Sequence, residues 1–90
     1  MTIDLYIGPV TARNGSFGYD TFSRADGLRS SFRYRRVEQA RYDQRAMIGE
    51  YRSAANTRVQ VYETVAEFER AVSAERKEGE DASAIPPNEE

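Results

Sequence analysis

Arg29-Ser30-Ser31-Phe32-Arg33-Tyr34-Arg35-Arg36, continued by Arg41, Tyr42 and Arg45, is the densest run of chemically versatile side chains in this 90-residue sequence. Guanidinium groups make forked, charge-assisted hydrogen bonds to carboxylates and phosphates. Rings interleaved with them can stack on unpaired bases or fill pockets of a protein. Two kinds of binding follow: contact with single-stranded DNA or RNA through Arg33, Tyr34, Arg35, Arg36, Arg41 and Arg45, or hot-spot contact with a protein. Tyr42, Arg58 and Tyr62 join the second set because Arg and Tyr are the types most enriched in protein interfaces. A plainer reading competes, in which Phe32 and Tyr34 face a core, Arg33 and Arg35 face water, and the helix beyond carries a salt-laced surface. The protein partner takes precedence over nucleic acid because the chain as a whole is acidic, with a pI of about 5.2.

Catalysis has little to work with. The chain contains no His and no Cys, which removes the usual neutral-pH proton shuttle, the thiolate nucleophile and the commonest metal ligands. Ser16, Ser23, Ser30, Ser31, Ser53 and Ser73 have no imidazole to activate them, and the single Lys77 lies in a charged stretch. Asp4, Asp20 and Asp26 fall near strands or turns, where Asp is favoured for local hydrogen bonding. Glu80-Asp81 and Glu89-Glu90 lack the spacing of a calcium loop, and Gly8, Gly15 and Gly18 lack the frame of a phosphate-binding loop. The expectation is a protein that is not an enzyme and carries no metal or cofactor.

The 15 acidic and 13 basic residues give a net charge of -2 that conceals a division along the chain. Residues 13–63 hold ten Arg against six acids, whereas residues 64–90 hold three basic residues against eight acids. The last stretch, from Glu78 to Glu90, is acidic and proline-bearing, the composition of a disordered tail. A single binding domain over residues 2–77 with an acidic disordered tail over 78–90 is expected. The start, Met1-Thr2-Ile3-Asp4, has neither a basic n-region nor a long apolar segment, which predicts a soluble cytoplasmic protein with no membrane span.

Hydrophobic periodicity supplies the elements that must position the Arg/Tyr run. Ile3, Leu5 and Ile7 alternate with Asp4 and Tyr6, the period of a strand with one wet face. Gly8-Pro9 bends it, and Asn14-Gly15 predicts a type I′ hairpin turn into a second strand over Phe17–Ser23. Asp26-Gly27 predicts a further turn into a third strand bearing Phe32 and Tyr34. From Arg36 the spacing of Val37, Ala40, Met47, Ile48, Tyr51 and Ala55 is helical, with Gln44 as the polar exception and Asn56 as the C-terminal cap. Thr57–Tyr62 alternates again, with Val59 and Val61 inward and Tyr62 outward. Thr64-Val65-Ala66-Glu67 is a capping box that starts a last helix buried through Val65, Phe68 and Val72. The fold class expected is α+β: a small antiparallel sheet of three to four strands with two helices packed on one face, in the order ββ(β)αβα.

In general build the chain resembles small phage-encoded anti-defence proteins of the anti-CRISPR type. The resemblance rests on the strand Ile3–Ile7, the Arg- and Tyr-bearing middle, the helix Thr64–Val72 and the acidic end Glu78–Glu90, and on no shared motif. It implies a non-catalytic inhibitor that occupies the functional surface of a CRISPR-type, nucleic-acid-handling host complex. No residue role is transferred by it.

Overall fold

The computed structural model describes residues 2–83, the last six through their backbone alone. Its elements are β1 (Ile3–Ile7), β2 (Thr11–Arg13), β3 (Ser16–Ser23), β4 (Gly27–Tyr34), α1 (Val37–Arg52), β5 (Thr57–Val61) and α2 (Val65–Ser83). The α+β class and the order of elements are those the periodicity predicts, with the bent first strand divided into β1 and β2. Both pieces pair with the same edge of β3: β2 lies opposite Ser16–Gly18 and β1 opposite Thr21–Phe22. β4 takes the other edge of β3 along its whole length. Asn14 and Gly15 both have positive φ, 54° and 83°, as the type I′ turn between β2 and β3 requires.

Two details of the expected architecture are corrected. The sheet is mixed rather than antiparallel, because β5 runs parallel to β1 in register Ile3↔Thr57 to Ile7↔Val61. A helix as long as α1 returns the chain to the starting end of the sheet, so the strand after it runs parallel to the strand before it. With both edges of β3 occupied, the vacant outer edge of β1 is where β5 pairs. The helices also lie on opposite faces rather than one. β1 is apolar on both sides: Leu5 and Ile7 pack with Tyr19, Met47, Ile48 and Val59 beneath α1, while Tyr6 packs with Phe22, Phe68 and Val72 beneath α2. A strand buried on both faces needs cover on both. Ile7 is fully buried and Tyr6, expected on a wet face, is buried too.

Smaller departures have local causes. Tyr62, expected outward, is half-buried and packs against Tyr6 and Phe68 with ring centroids 6.1 and 6.4 Å apart. Val61, expected inward, keeps 41% of its surface exposed at the sheet edge. Helix α1 stops at Arg52, so Ala55 lies beyond its end, and Ser53 rather than Asn56 is its C-cap, with its N–H donating to the Gly49 carbonyl at 3.2 Å. At the start of α2 the Thr64 hydroxyl accepts the Glu67 N–H at 3.1 Å, as the capping box requires, but it then donates to the Glu67 carboxylate instead of leaving that group to the Thr64 backbone. Helix α2 continues past the expected boundary at 77 to Ser83, through Glu78-Gly79-Glu80-Asp81-Ala82-Ser83, where Glu and Ala favour helix although Gly79 does not. The rest of the expected tail, residues 84–90, lies outside the described residues.

Candidate binding surface

The Arg/Tyr run does not form one patch; the fold distributes it around α1. A bulge in the β3–β4 ladder decides the first step. Phe17 pairs with Tyr34 while Gly18 pairs with Phe32, so Arg33 is the extra residue and the alternation of β4 changes phase there. Phe32 therefore shares the α2 face with Gly18, and Tyr34 shares the α1 face with Phe17. Phe32 is covered by the Arg13 guanidinium 4.0 Å from its centroid. Arg33 folds back on Tyr34, donating from Nε and Nη2 to its hydroxyl at 3.3 Å each, and this hydrogen bond raises the Arg33 pKa above its ordinary value. Phe32 and Tyr34 are both half-buried while Arg33 and Arg35 are exposed, so the plainer sequence reading describes their burial but not their opposite faces.

Helix α1 separates what remains. Glu38, Gln39, Tyr42 and Asp43 lie on the flank toward β4, where with Tyr34 they line a shallow groove of about 410 Å³. Tyr42 is 75% exposed and is the most open large ring of the molecule's described part. A second hollow of about 280 Å³ opens beside it between β4 and α1, lined in part by Arg29, Ser31 and Arg33. Its floor is Tyr19, whose hydroxyl donates to Asp43 at 2.6 Å with the Met47 sulfur 3.5 Å away. Burial pushes the Tyr19 phenol pKa well up, and the hydrogen bond and charge of Asp43 add to the rise. Arg41 and Arg45, one turn apart, lie on the side of α1 that carries Ile48, whose side chain packs in the cluster with Val59 of β5. Arg45 is also one turn from Tyr42 and shares the exposed face of the helix with it and Glu38. Gln44, the polar residue on an apolar face, donates its amide to the Gly8 carbonyl at 2.7 Å and so supports the bend between β1 and β2. Arg35 and Arg36 precede α1, and Arg36 stands at its N-cap without a capping side chain.

Arg58 and Tyr62 are not brought to this surface. Arg58 projects from β5 on the α2 side, bonded through Nε to Asp4 at 2.7 Å, which raises its pKa. Tyr62 belongs to the aromatic cluster under α2, and burial raises its pKa. On that face Arg13 pairs with Asp20 at 3.1 Å, and Arg24 pairs with Glu75, which also accepts the Tyr6 hydroxyl at 3.0 Å. Arg35, Arg36, Arg41 and Arg45, by contrast, have no ion pair or side-chain hydrogen bond among the described residues. What sequence reasoning missed is this contrast, and also Asp43, Glu38 and Gln39 as lining groups. Their spacing with Tyr42 on one helix flank was the available signal.

Among the described residues no group of His, Cys, Asp or Glu could hold a metal ion, and no helix is long and apolar enough to cross a membrane. No family model, curated protein or solved structure matches the chain.

Proposed function

We propose that this chain is a non-catalytic binding protein that acts in the cytoplasm by occupying a surface of a larger protein complex. The observation that carries the reading is the set of four exposed arginines, Arg35, Arg36, Arg41 and Arg45, that have no ion pair among the described residues and lie around α1 beside the open ring of Tyr42. An unpaired guanidinium retains its full capacity for bidentate contact with a carboxylate or phosphate, and Arg with Tyr supplies much of the energy of protein interfaces. Glu38, Asp43 and Glu50 stand on the same helix. Mixed charge of this kind suits a patterned protein surface better than a uniform run of phosphates. The resemblance in general build to anti-CRISPR proteins directs the proposal to a host nucleic-acid-handling complex of the CRISPR type, blocked by occupancy.

The test is co-elution of the purified chain with purified CRISPR-type effector complexes, repeated with the double variant Arg41→Glu, Arg45→Glu. The expected result is a stable complex that the double variant weakens at least about tenfold. Absence of a complex with every such effector rejects the target class. Tight oligonucleotide binding that falls steeply with salt, in place of protein binding, transfers the function to the nucleic-acid reading.

A further inference from the structure

The outer edge of β5 has backbone hydrogen-bonding capacity that the fold leaves open. In the parallel ladder the Ile3 N–H donates to the Asn56 carbonyl at 2.6 Å and the Tyr62 N–H donates to the Ile7 carbonyl at 2.9 Å. Residues 56, 58, 60 and 62 thus turn their backbone groups to β1, and the alternate residues Thr57, Val59 and Val61 turn theirs outward. The Thr57 N–H is taken by the Ala54 carbonyl at 3.3 Å. The Thr57 carbonyl and both backbone groups of Val59 and Val61 have no strand partner among the described residues.

Exposed edges are ordinarily blunted by proline, lysine or a bulge. β4, an outer strand on the far edge of β3, has its bulge at Arg33, and β2, which pairs with β3 alone, is three residues long. β5, Thr57-Arg58-Val59-Gln60-Val61, has a regular register over all five residues and contains no Pro, and its one charged residue, Arg58, is turned to the α2 side and bonded to Asp4. Its α1 side is apolar at Val59 and at the exposed Val61. Ile48 of α1 packs in the same cluster as Val59, and helix spacing puts Arg41 and Arg52 on the side of α1 that carries Ile48, with Arg45 next to them toward solvent. Of the carboxylates near this edge, Asp4 is already bonded to Arg58, and Arg41, Arg45 and Arg52 outnumber the two others, Glu38 on α1 and Glu63 two residues past Val61. A second copy pairing here by two-fold symmetry would place one arginine flank against another. An acidic partner would be attracted to the same place.

We propose that the free edge of β5 receives, as a sixth strand, an extended segment of a partner protein. Acidic side chains of that segment face Arg41 and Arg45, and an apolar one packs against Val61. Main-chain hydrogen bonds to Val59 and Val61 supply affinity, and the alternating side chains supply selectivity. The proposal rests on the protein-partner reading for its occupant and adds where and how that partner binds.

The probe is a blocked heptapeptide that alternates glutamate with valine or threonine, followed by backbone amide exchange on the full chain. At saturation the Val59 and Val61 amides exchange at least about tenfold more slowly. A peptide N-methylated at alternate positions, or one with lysine in place of glutamate, binds at least about tenfold more weakly. Val61→Pro, which removes an outward donor and leaves the β1 ladder intact, weakens binding by a similar factor. Unchanged exchange at Val59 and Val61, equal binding of the lysine peptide, or the same protection produced by self-association without peptide each overturns the proposal. A chain that captures its effector complex equally well as Val61→Pro keeps the protein-partner reading and loses this one. A chain that captures no complex yet shows the peptide-dependent protection keeps the edge site and loses the effector target.

Discussion

Tyr19 and Tyr6 fasten the two helices to opposite faces of the sheet by the same device: a buried phenol on a strand donates to a carboxylate on a helix. Tyr19 reaches Asp43 of α1 at 2.6 Å and Tyr6 reaches Glu75 of α2 at 3.0 Å. Burial is the main reason both phenols resist ionisation, with the hydrogen-bonded carboxylate next; the Tyr6 pKa is pushed up to about 12 from an ordinary 10.0. A phenol with a raised folded-state pKa holds its proton more tightly in the folded chain than in the unfolded one. Its contribution is therefore complete below the unfolded value and is lost as pH climbs toward the folded value. Stability is expected to fall from about pH 10 upward, with Tyr6 alone accounting for about 2 kcal/mol of the loss by about pH 12. Urea unfolding of the chain at a series of alkaline pH values measures it. Tyr6→Phe and Tyr19→Phe each cost about 1 kcal/mol at neutral pH through the lost hydrogen bond, and together they flatten the alkaline fall. An unaltered fall in the double variant would assign the effect to other groups.

At the scale of elements, Gly18 and the start of α1 lead to opposite predictions. A Cβ at Gly18 would overlap the Ser31 carbonyl oxygen and lie 2.6 Å from the Phe32 Cα, and both neighbours are backbone. Gly18→Ala is expected to destabilise by about 3 kcal/mol or more because β4 must separate from β3 at the bulge. A loss below about 1 kcal/mol in thermal or urea unfolding would contradict it. Arg36 at the N-cap of α1 is unfavourable twice over, since it supplies no cap and places positive charge at the positive end of the helix. Arg36→Asp is expected to raise stability by about 1 kcal/mol while weakening capture of the target, and gains in both would remove Arg36 from the binding surface. These positions also show what could be read before the structure. The type I′ turn at Asn14-Gly15, the helical face of α1 and the Thr64 hydroxyl cap are set by neighbours within a few residues, so the sequence pattern contains them. The bulge at Arg33 depends on how closely β4 approaches Gly18. The burial of Tyr6 and Tyr62 depends on α2 covering the second face, and the parallel pairing of β5 depends on which sheet edge is vacant. None of those causes is local. The candidate arginines were legible as exposed; the pairing of Arg58 with Asp4 was not, because it joins strands 54 residues apart.

For the molecule as a whole, the two-sided sheet turns a division along the chain into a division across its thickness. Residues 29–52, which form most of β4 and all of α1, hold seven arginines against three acids. Residues 65–83, the span of α2 on the other face, hold six acids against three basic residues. Helix, sheet and helix stack with layers about 10 Å apart. That spacing matches the distance of about 10 Å over which charge is screened at about 0.1 M salt. A partner approaching the α1 face therefore feels an excess of positive charge that the acidic face does little to cancel, despite a net charge of -2. Such steering acts mainly on encounter, because charges at the rim of an interface guide approach more than they hold the bound state. Raising salt from about 0.05 M to about 0.5 M is expected to slow association with the target by about tenfold or more and to change dissociation by less than about threefold. Arg41→Glu with Arg45→Glu removes most of that salt dependence, whereas Glu67→Gln with Glu69→Gln on the far face leaves it in place. Stopped-flow association rates across the salt series decide between the faces. Equal effects from the two pairs would mean that the partner responds to net charge alone, and that the arginines of α1 have no privileged part in finding it.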